Sequence, residues 1–164
     1  MPISPIFEKK NILVAGGAGF IGTFLCEELL RKNKVICVDN FSTGNRKNIE
    51  PLLQYPDFKF INHDIIEPLD LERLPELEVF KIKFQGVQEI YNLACPTAPK
   101  NFEKNKIATA LSNSAGMRNV LELAVKYKAK FLQFSSSVVY GSRPDDSRPF
   151  VESDRGVVDF IGPR

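Results

Sequence analysis

A glycine-rich segment near the amino terminus constrains the fold of this chain more than any other feature. The apolar run Ile12-Leu-Val14 leads into Gly16, Gly17, Gly19 and Gly22, and apolar residues then recur at helical spacing. The glycines fit both the G-x-G-x-x-G and the G-x-x-G-x-x-G spacing. Such glycines permit a sharp turn, close approach of backbone N–H groups to a pyrophosphate, and tight packing of helix on sheet. The segment therefore predicts a strand, a turn and a helix whose amino terminus faces phosphates.

An acidic residue at the end of the next apolar run extends this pattern. The run Val35-Ile-Cys-Val38 ends at Asp39, which lies 20 residues after Gly19. Dinucleotide-binding folds place there the carboxylate that accepts hydrogen bonds from the adenosine ribose. The alternative is a glycine turn in an unrelated α/β protein, with Asp39 merely ending a strand. We expect Asp39 to favour NAD over NADP by repelling a 2′-phosphate, although Arg46 and Lys47 nearby could soften the preference.

The order of the predicted elements indicates the fold class. Strands and helices alternate, which is typical of a parallel sheet covered on both faces. Right-handed crossovers then predict an α/β, Rossmann-type, doubly wound sheet with strand order 3-2-1-4-5 in one domain, residues 1–164. The charged segment 69–86 is interpreted as a surface excursion. The predicted strands are 11–15, 34–39, 58–62, 89–93 and 131–135, and the predicted helices are 20–33, 48–53 and 105–127.

Composition excludes several classes of partner and compartment. The net charge of +2 offers no electrostatic case for binding nucleic acid or a membrane. Cys26, Cys37 and Cys95 lie far apart, and the first two fall in apolar patterns, so we interpret them as small packed residues and not as a metal site. No apolar run approaches the length of a membrane span or a signal peptide, and we expect a cytoplasmic protein.

Five segments resemble the extended short-chain dehydrogenase/reductase family, which contains NAD-dependent nucleotide-sugar epimerases, dehydratases and decarboxylases. Within that family, residues 62–68, 94–99 and 161–164 look most like the UDP-glucuronate decarboxylases, which make UDP-xylose. The segments are Gly-Gly-Ala-Gly-Phe-Ile-Gly at 16–22, Asp-Asn-Phe-Ser-Thr-Gly at 39–44, Asn-His-Asp-Ile-Ile-Glu-Pro at 62–68, Tyr-Asn-Leu-Ala at 91–94 and Ser-Ser-Ser-Val-Val-Tyr-Gly at 135–141.

The resemblance implies an activity and a set of site residues. The C4 hydroxyl of a UDP-sugar is oxidised by bound NAD, carbon dioxide is lost, and the ketone is reduced again. Family members form homodimers through the long helix, here 105–127. Ser136 would be the catalytic hydroxyl, with Ser135 near the nicotinamide. The other NAD contacts would come from Gly16, Gly19, Phe20, Ile21, Gly22, Asp39, Asn40, Asp64, Ile65, Leu93 and Ala94.

Alternatives stay open for the serines and for Asp64. The serines at 135–137 could instead cap the next turn, and Asp64 could be a helix cap or turn residue. His63, the single histidine, is expected to face solvent or pack at a strand end and not to act as a base.

The sequence departs from the family pattern near its carboxyl end. The family's Tyr-x-x-x-Lys is expected after Arg164, so we expect an incomplete sheet, a marginal or self-associating fold, and a chain that is inactive alone. Tyr55 and Lys59 have that spacing by chance. Val138 stands where decarboxylases carry Glu, and the dehydratase Asp-Glu pair at 137–138 is absent. A 4-epimerase therefore competes with the decarboxylase, and a non-catalytic nucleotide-binding module is a further alternative.

Overall fold

The computed structural model describes residues 8–96, 102–141, 148–154 and 156. The chain divides between Gln133 and Phe134 into two compact units. The described part of the first unit holds a five-stranded parallel sheet in the order β3-β2-β1-β4-β5, as predicted. The strands are β1 (Asn11–Ala15), β2 (Lys34–Asp39), β3 (Phe58–Asn62), β4 (Glu89–Asn92) and β5 (Lys130–Gln133).

The strand register brings the segments that follow β1, β2, β3 and β4 to the same end of the sheet. Ala15 of β1 lies opposite Val38 of β2 on one side and Asn92 of β4 on the other. Asp39 of β2 lies opposite Asn62 of β3. The residues that follow these strands therefore emerge side by side, at neighbouring strand ends about 4.8 Å apart.

Five helices accompany the sheet in the described residues, and the predicted long helix is interrupted. Its two halves, α4 (Phe102–Leu111) and α5 (Met117–Tyr127), are joined by a π-helical segment, Ser112–Gly116. Helix α1 (Phe20–Leu30) ends three residues before the predicted position 33, since the N–H groups of Lys32 and Asn33 both donate to Leu29 O. The helices are α1 (Phe20–Leu30), α2 (Arg46–Ile49), α3 (Ile82–Gln85), α4 (Phe102–Leu111) and α5 (Met117–Tyr127). No described helix combines the length and the hydropathy needed to cross a membrane.

Successive residues of the strands point to opposite faces of the sheet and contribute to two apolar cores, one on each face. Leu13 and Ile36 belong to the core that includes Val120 of α5. Ile12 and Val35 belong to the core that includes Cys26 of α1. Burial on both faces is why the central strands are apolar throughout.

The interpretation of residues 69–86 as a surface excursion is wrong. Leu71, Leu77, Phe80 and Ile82 are at most 4% exposed and join the core on the α5 side. Two 3₁₀ turns, Leu71–Arg73 and Pro75–Phe80, carry three of them. The apolar residues Leu71, Leu74, Leu77 and Phe80 recur every third residue, which is the 3₁₀ period, while the charges between them obscure the pattern.

The described part of the second unit is small and held by local contacts. Residues Ser137–Tyr140 form a 3₁₀ turn. The Tyr140 ring stacks on Phe150 with centroids 5.1 Å apart. Arg148 forms an ion pair with Asp154 at 2.7 Å.

Candidate active site

The glycine turn is shaped by backbone contacts that leave no room for side chains. Gly16 has φ +76°, in the left-handed region, and a Cβ there would lie 2.8 Å from the Ala94 nitrogen. A Cβ on Gly22 would overlap the Gly16 carbonyl oxygen and lie 2.7 Å from Gly17 Cα. The turn therefore contacts the backbone after β4 at Gly16, and the start of helix α1 contacts the turn at Gly22.

The amino terminus of α1 is open to an anionic ligand. Gly19 is the N-cap residue, no side chain caps the helix, and the first turn carries no acidic residue. Thr23 Oγ1 donates to Gly19 O at 2.8 Å, so this side chain uses a carbonyl oxygen and none of the N–H groups of the first turn. Unpaired N–H groups at a helix start form a site for phosphate. This geometry fits the pyrophosphate of a dinucleotide.

Phe20 and Ile21 flank that helix start and are 79% and 58% exposed. Gly22 and Cys26 are the buried residues of the helix, and Leu25 and Leu29 are partly buried against the same core. The reason is the close glycine contact, which turns the Gly22 face of α1 toward the sheet.

Asp39 joins β2 to the glycine turn through both carboxylate oxygens. It is 9% exposed. Its Oδ2 accepts the Ala18 N–H at 3.0 Å, and its Oδ1 accepts the Phe41 N–H at 2.8 Å. Each carboxylate oxygen can accept a further hydrogen bond, so these two contacts orient the group without exhausting it. The arrangement fits recognition of ribose hydroxyls beside the pyrophosphate.

Asp64 and Ile65 follow β3 at the neighbouring strand end. Asp64 Oδ1 accepts the Ile66 N–H at 3.0 Å, so Asp64 is a turn residue, and its Oδ2 accepts from Asn40 Nδ2 at 2.8 Å. Ile65 is 8% exposed and packs under the π-helical segment. A Cβ on Gly116 would lie 2.8 Å from Ile65 Cδ1, so this glycine allows the helix to approach.

Leu93 and Ala94 run along the outside of the glycine turn. Leu93 N–H donates to Ala15 O at 2.9 Å, which extends the β1–β4 pairing to the turn. Asn92, only 2% exposed, donates from Nδ2 to Gln133 Oε1 at 2.8 Å. Its Oδ1 accepts the Ala94 N–H at 3.3 Å. The side chain of Asn92 therefore shapes the segment that would pass beside a cofactor.

Ser135 and Ser136 belong to the second unit, and both are exposed. The strand β5 ends at Gln133, so the prediction that it reaches Ser135 is wrong by two residues. Ser136 Oγ accepts the Val138 N–H at 3.3 Å and caps the 3₁₀ turn that follows. That contact uses an acceptor site and leaves the hydroxyl proton available as a donor.

Two buried thiols lie directly beneath the glycine turn. A Cβ on Gly17 would lie 2.5 Å from Cys37 Sγ and 3.1 Å from Cys26 Sγ. A hydrogen bond with the Cys26 thiol, together with burial, raises the pKa of the Cys37 thiol well above its ordinary value. Neutral, enclosed thiols pack as small apolar groups, as the sequence predicted.

His63 and the pair Tyr55 and Lys59 could suggest another catalytic base, but none of them lies at the glycine turn. His63 Nε2 is 3.0 Å from Glu67 O, so the ring packs on the local turn. Tyr55 precedes β3 and is 49% exposed, and Lys59 is the second residue of that strand. Tyr55 and Lys59 therefore lie toward the amino end of β3, opposite the glycine turn.

Several residues that organise the site were given no role from the sequence. Asn48 Nδ2 donates to Ala18 O at 2.8 Å, and a Cβ on Gly44 would lie 3.1 Å from Asp39 Oδ1. Asn119 Nδ2 donates to Ile65 O at 2.9 Å and to Ile66 O at 2.8 Å. The two asparagines lie on helices and follow no periodic pattern, whereas Gly44 is the last residue of the segment 39–44 quoted for the family resemblance.

Comparison with known proteins finds matches over nearly the whole chain. The model of the "NAD dependent epimerase/dehydratase family" matches residues 12–157. UDP-glucuronic acid decarboxylase 1 of Xenopus tropicalis is 39% identical over 158 residues, which cover 96% of this chain and 34% of the relative. UDP-glucuronic acid decarboxylase 1 of Arabidopsis thaliana is 37% identical over 165 residues, which cover 100% of this chain and 34% of the relative. The chain thus spans about a third of the length of these relatives.

Solved structures show the same fold. The UDP-N-acetylglucosamine 4-epimerase of Methanobrevibacter ruminantium, in complex with UDP-N-acetylmuramic acid, superposes with a TM-score of 0.73 at 25% identity. That match covers 96% of this chain and 46% of the epimerase. The Thermus thermophilus UDP-glucose 4-epimerase, in complex with NAD, superposes with a TM-score of 0.67 at 26% identity, covering 90% of this chain and 44% of that one.

Proposed function

The chain belongs to the NAD dependent epimerase/dehydratase family, and on that premise we propose that residues 1–164 are the NAD-binding part of a nucleotide-sugar-modifying enzyme. The observation that carries the proposal is the pairing of two features at one sheet end. The glycine turn offers an uncapped helix start, and Asp39 presents a carboxylate at the next strand end. Pyrophosphate and ribose are adjacent groups of a dinucleotide and require this order.

For the activity of the whole enzyme, we propose decarboxylation of UDP-glucuronate. The support is the identity of about two residues in five with relatives named UDP-glucuronic acid decarboxylase. Bound NAD would supply reversible oxidation at a sugar carbon. Within this chain, the Ser136 hydroxyl would hold the sugar oxygen, and the backbone of Leu93 and Ala94 would flank the nicotinamide side.

A 4-epimerase is the second candidate. It is favoured by Val138, which is 40% exposed and stands where decarboxylases of the family carry Glu. The solved epimerases that share the fold are consistent with this candidate. A UDP-sugar is the proposed ligand in either case, and a homodimer the proposed assembly.

Titration with NAD tests the cofactor proposal. We expect saturable binding by calorimetry and at least about tenfold weaker binding of NADP, because the Asp39 carboxylate disfavours a 2′-phosphate. Replacing Asp39 by Ala should weaken NAD and reduce the preference. Asp57→Ala is the matched control, because Asp57 forms a surface pair with Lys9 before β3. The proposal would be refuted if the folded chain showed no binding at millimolar NAD.

Assays with UDP-sugars separate the candidate activities. We expect no turnover by this chain alone, since no tyrosine with a lysine four residues later follows Ser136 in its sequence. A longer form carrying that motif should release carbon dioxide from UDP-glucuronate if it is a decarboxylase, or interconvert neutral UDP-hexoses if it is an epimerase. Binding of NAD with neither activity in the longer form would favour a non-catalytic module. Turnover by the 164-residue chain would contradict the need for the missing pair.

A further inference from the structure

The ends of β2 and β3 are joined by a hydrogen bond between two side chains. Asn40 Nδ2 donates to Asp64 Oδ2 at 2.8 Å. The bond is a consequence of register, because Asp39 lies opposite Asn62 and His63 N–H donates to Asp39 O at 3.2 Å. The residue after Asp39 therefore faces the turn that begins at His63.

Both partners of this bond are oriented by their own turns. Asn40 Oδ1 accepts the Ser42 N–H at 2.9 Å, so the amide nitrogen must face Asp64. The reverse orientation would set an amide oxygen against the carboxylate and an amide N–H against the Ser42 N–H. Asp64 Oδ1 accepts the Ile66 N–H at 3.0 Å, so the Asn40 amide meets the other oxygen.

The Asp64 turn is also held from the helix side. Asn119 of α5 donates to the carbonyl oxygens of Ile65 and Ile66, and Gly116 lets the helix pack on Ile65. With its backbone anchored there, the remaining freedom of the Asp64 carboxylate is rotation of the side chain. The Asn40 amide restricts that rotation.

The order of the strand ends indicates what the carboxylate would meet. If the pyrophosphate lies at the β1 turn and a ribose lies at Asp39 on β2, the attached base extends toward β3. The neighbouring strand ends lie about 4.8 Å apart, so the three groups would follow one another across the sheet. A carboxylate at the β3 end suits the exocyclic amine of adenine, which donates hydrogen bonds, and opposes a carbonyl oxygen at the same ring position.

We propose that Asn40 is a positioning residue for base recognition: it holds the Asp64 carboxylate where it accepts a hydrogen bond from the adenine amine. The inference rests on the proposed NAD-binding function and deepens it, since it gives Asn40 a part in selecting the base. Asn40 acts through Asp64, so its loss should change selectivity between bases and not affinity alone.

The test compares NAD with nicotinamide hypoxanthine dinucleotide, in which a carbonyl oxygen replaces the adenine amine. Dissociation constants are measured by calorimetry on the full 164-residue chain, and the readout is their ratio. We expect the unaltered chain to prefer NAD by at least about tenfold, the scale of one charge-assisted hydrogen bond. Asp64→Ala should bring the ratio close to one.

Two changes at Asn40 examine the positioning role. Asn40→Ala should lower the ratio by at least about threefold, as expected for coupled neighbours. Asn40→Asp keeps the acceptor for the Ser42 N–H, removes the donor and sets a like charge against Asp64, so it should lower the ratio further. In the Asp64→Ala background, Asn40→Ala should leave the ratio unchanged. Both variants alter an exposed side chain, and their thermal unfolding verifies the fold.

Asn45→Ala is the matched control, because Asn45 also accepts a backbone N–H in this loop, from Lys47 at 2.9 Å. It should leave the ratio unchanged. Equal weakening of both dinucleotides by Asn40→Ala would overturn the positioning role and leave NAD binding in place. The same holds if the unaltered chain fails to distinguish the two dinucleotides. A folded chain that binds neither would overturn the proposed function together with this inference.

Discussion

Gly19 and Gly22 belong to the same turn but are required for different physical reasons. A Cβ on Gly22 would overlap the Gly16 carbonyl and crowd Gly17, so the folded backbone itself excludes a side chain. A Cβ on Gly19 would meet only the Gly16 carbonyl oxygen, at 3.3 Å. Gly19 has φ −74° and ψ 173°, which any residue adopts. The folded backbone therefore leaves room for a side chain at Gly19, and in the proposed NAD complex the pyrophosphate would take that space.

Alanine substitution should separate these two requirements. Gly22→Ala should lower the free energy of unfolding by about 1–3 kcal/mol, the usual cost of overpacking. Gly19→Ala should change it by less than about 1 kcal/mol but weaken NAD binding at least tenfold, because a methyl group would stand where the phosphates approach. Urea unfolding and calorimetric titration measure the two quantities. A Gly19→Ala variant with normal NAD affinity would contradict the assignment.

At the scale of elements, the segment between β3 and β4 belongs to the core. The side chain of Asn11 at the start of β1 donates to Phe80 O and to Gly86 O, each at 2.8 Å. Lys126 and Tyr127 at the end of α5 contact Glu72 at 2.8 and 3.2 Å. The segment is thus attached both to the sheet and to α5.

Two phenylalanines of this segment provide a direct comparison. Phe80 is completely buried, whereas Phe84 is 84% exposed. Phe80→Ala should lower the free energy of unfolding by about 3–5 kcal/mol, because it leaves a cavity in the core. Phe84→Ala should change it by less than about 0.5 kcal/mol. Denaturant unfolding of the two variants measures the difference. A loss at Phe80→Ala as small as the loss at Phe84→Ala would show that the Phe80 side chain contributes nothing to the core.

An ion pair also joins Lys10, the residue before β1, to Glu89 of β4, and it makes stability depend on pH. Glu89 Oε1 lies 2.7 Å from Lys10 Nζ, and the Tyr91 hydroxyl donates to Glu89 Oε2 at 3.0 Å. The bond from Lys10 lowers the pKa of the Glu89 carboxyl below its ordinary 4.5. Because the folded-state pKa is depressed, the stabilisation is present above pH 4.5 and is lost as pH falls through the folded value.

The expected signature is a fall in melting temperature as the pH is lowered from about 5 to about 3. Glu89→Gln should reduce the size of that fall, because the amide does not titrate. Lys10→Gln should reduce it to a similar extent by removing the partner, and the double variant should add little. Thermal melts at several pH values provide the measurement. If the melting temperature of Glu89→Gln fell between about pH 5 and about pH 3 as much as that of the unaltered chain, this ion pair would be excluded as a source of the pH dependence.

At the scale of the whole molecule, one helical face carries apolar residues in contact with solvent. The side chains of Ile107, Leu111, Leu121 and Val125 are between 40% and 79% exposed. Exposed apolar surface of this kind favours association.

We therefore expect the 164-residue chain to self-associate as its concentration rises. Val125→Glu should shift sedimentation toward monomer by placing a charge on that face. Val79→Glu is the matched control, because Val79 is 60% exposed on the segment between β3 and β4. A strictly monomeric sample with one sharp two-state unfolding transition would contradict the expectation.

Much of the fold could be predicted because its signals are local. Strands β1, β2 and β3 have the predicted bounds, since short apolar runs ended by glycine or polar residues leave little choice. The end of α1 and the burial of the segment between β3 and β4 were harder to predict from the sequence. Their boundaries depend on backbone bonds at Leu29 and on a three-residue apolar repeat, which the helical period of 3.6 does not detect.

The sequence alone determined the class of fold, the strand order and the position of the glycine turn before an acidic strand end. These features follow from spacing along the chain and from the handedness of crossovers. Only the tertiary structure decided how the polar residues are paired. Asp39 with Ala18, Asn40 with Asp64, and Asn11 with Phe80 are separated by 21, 24 and 69 residues. Such pairs depend on strand register and loop closure, which no local pattern records.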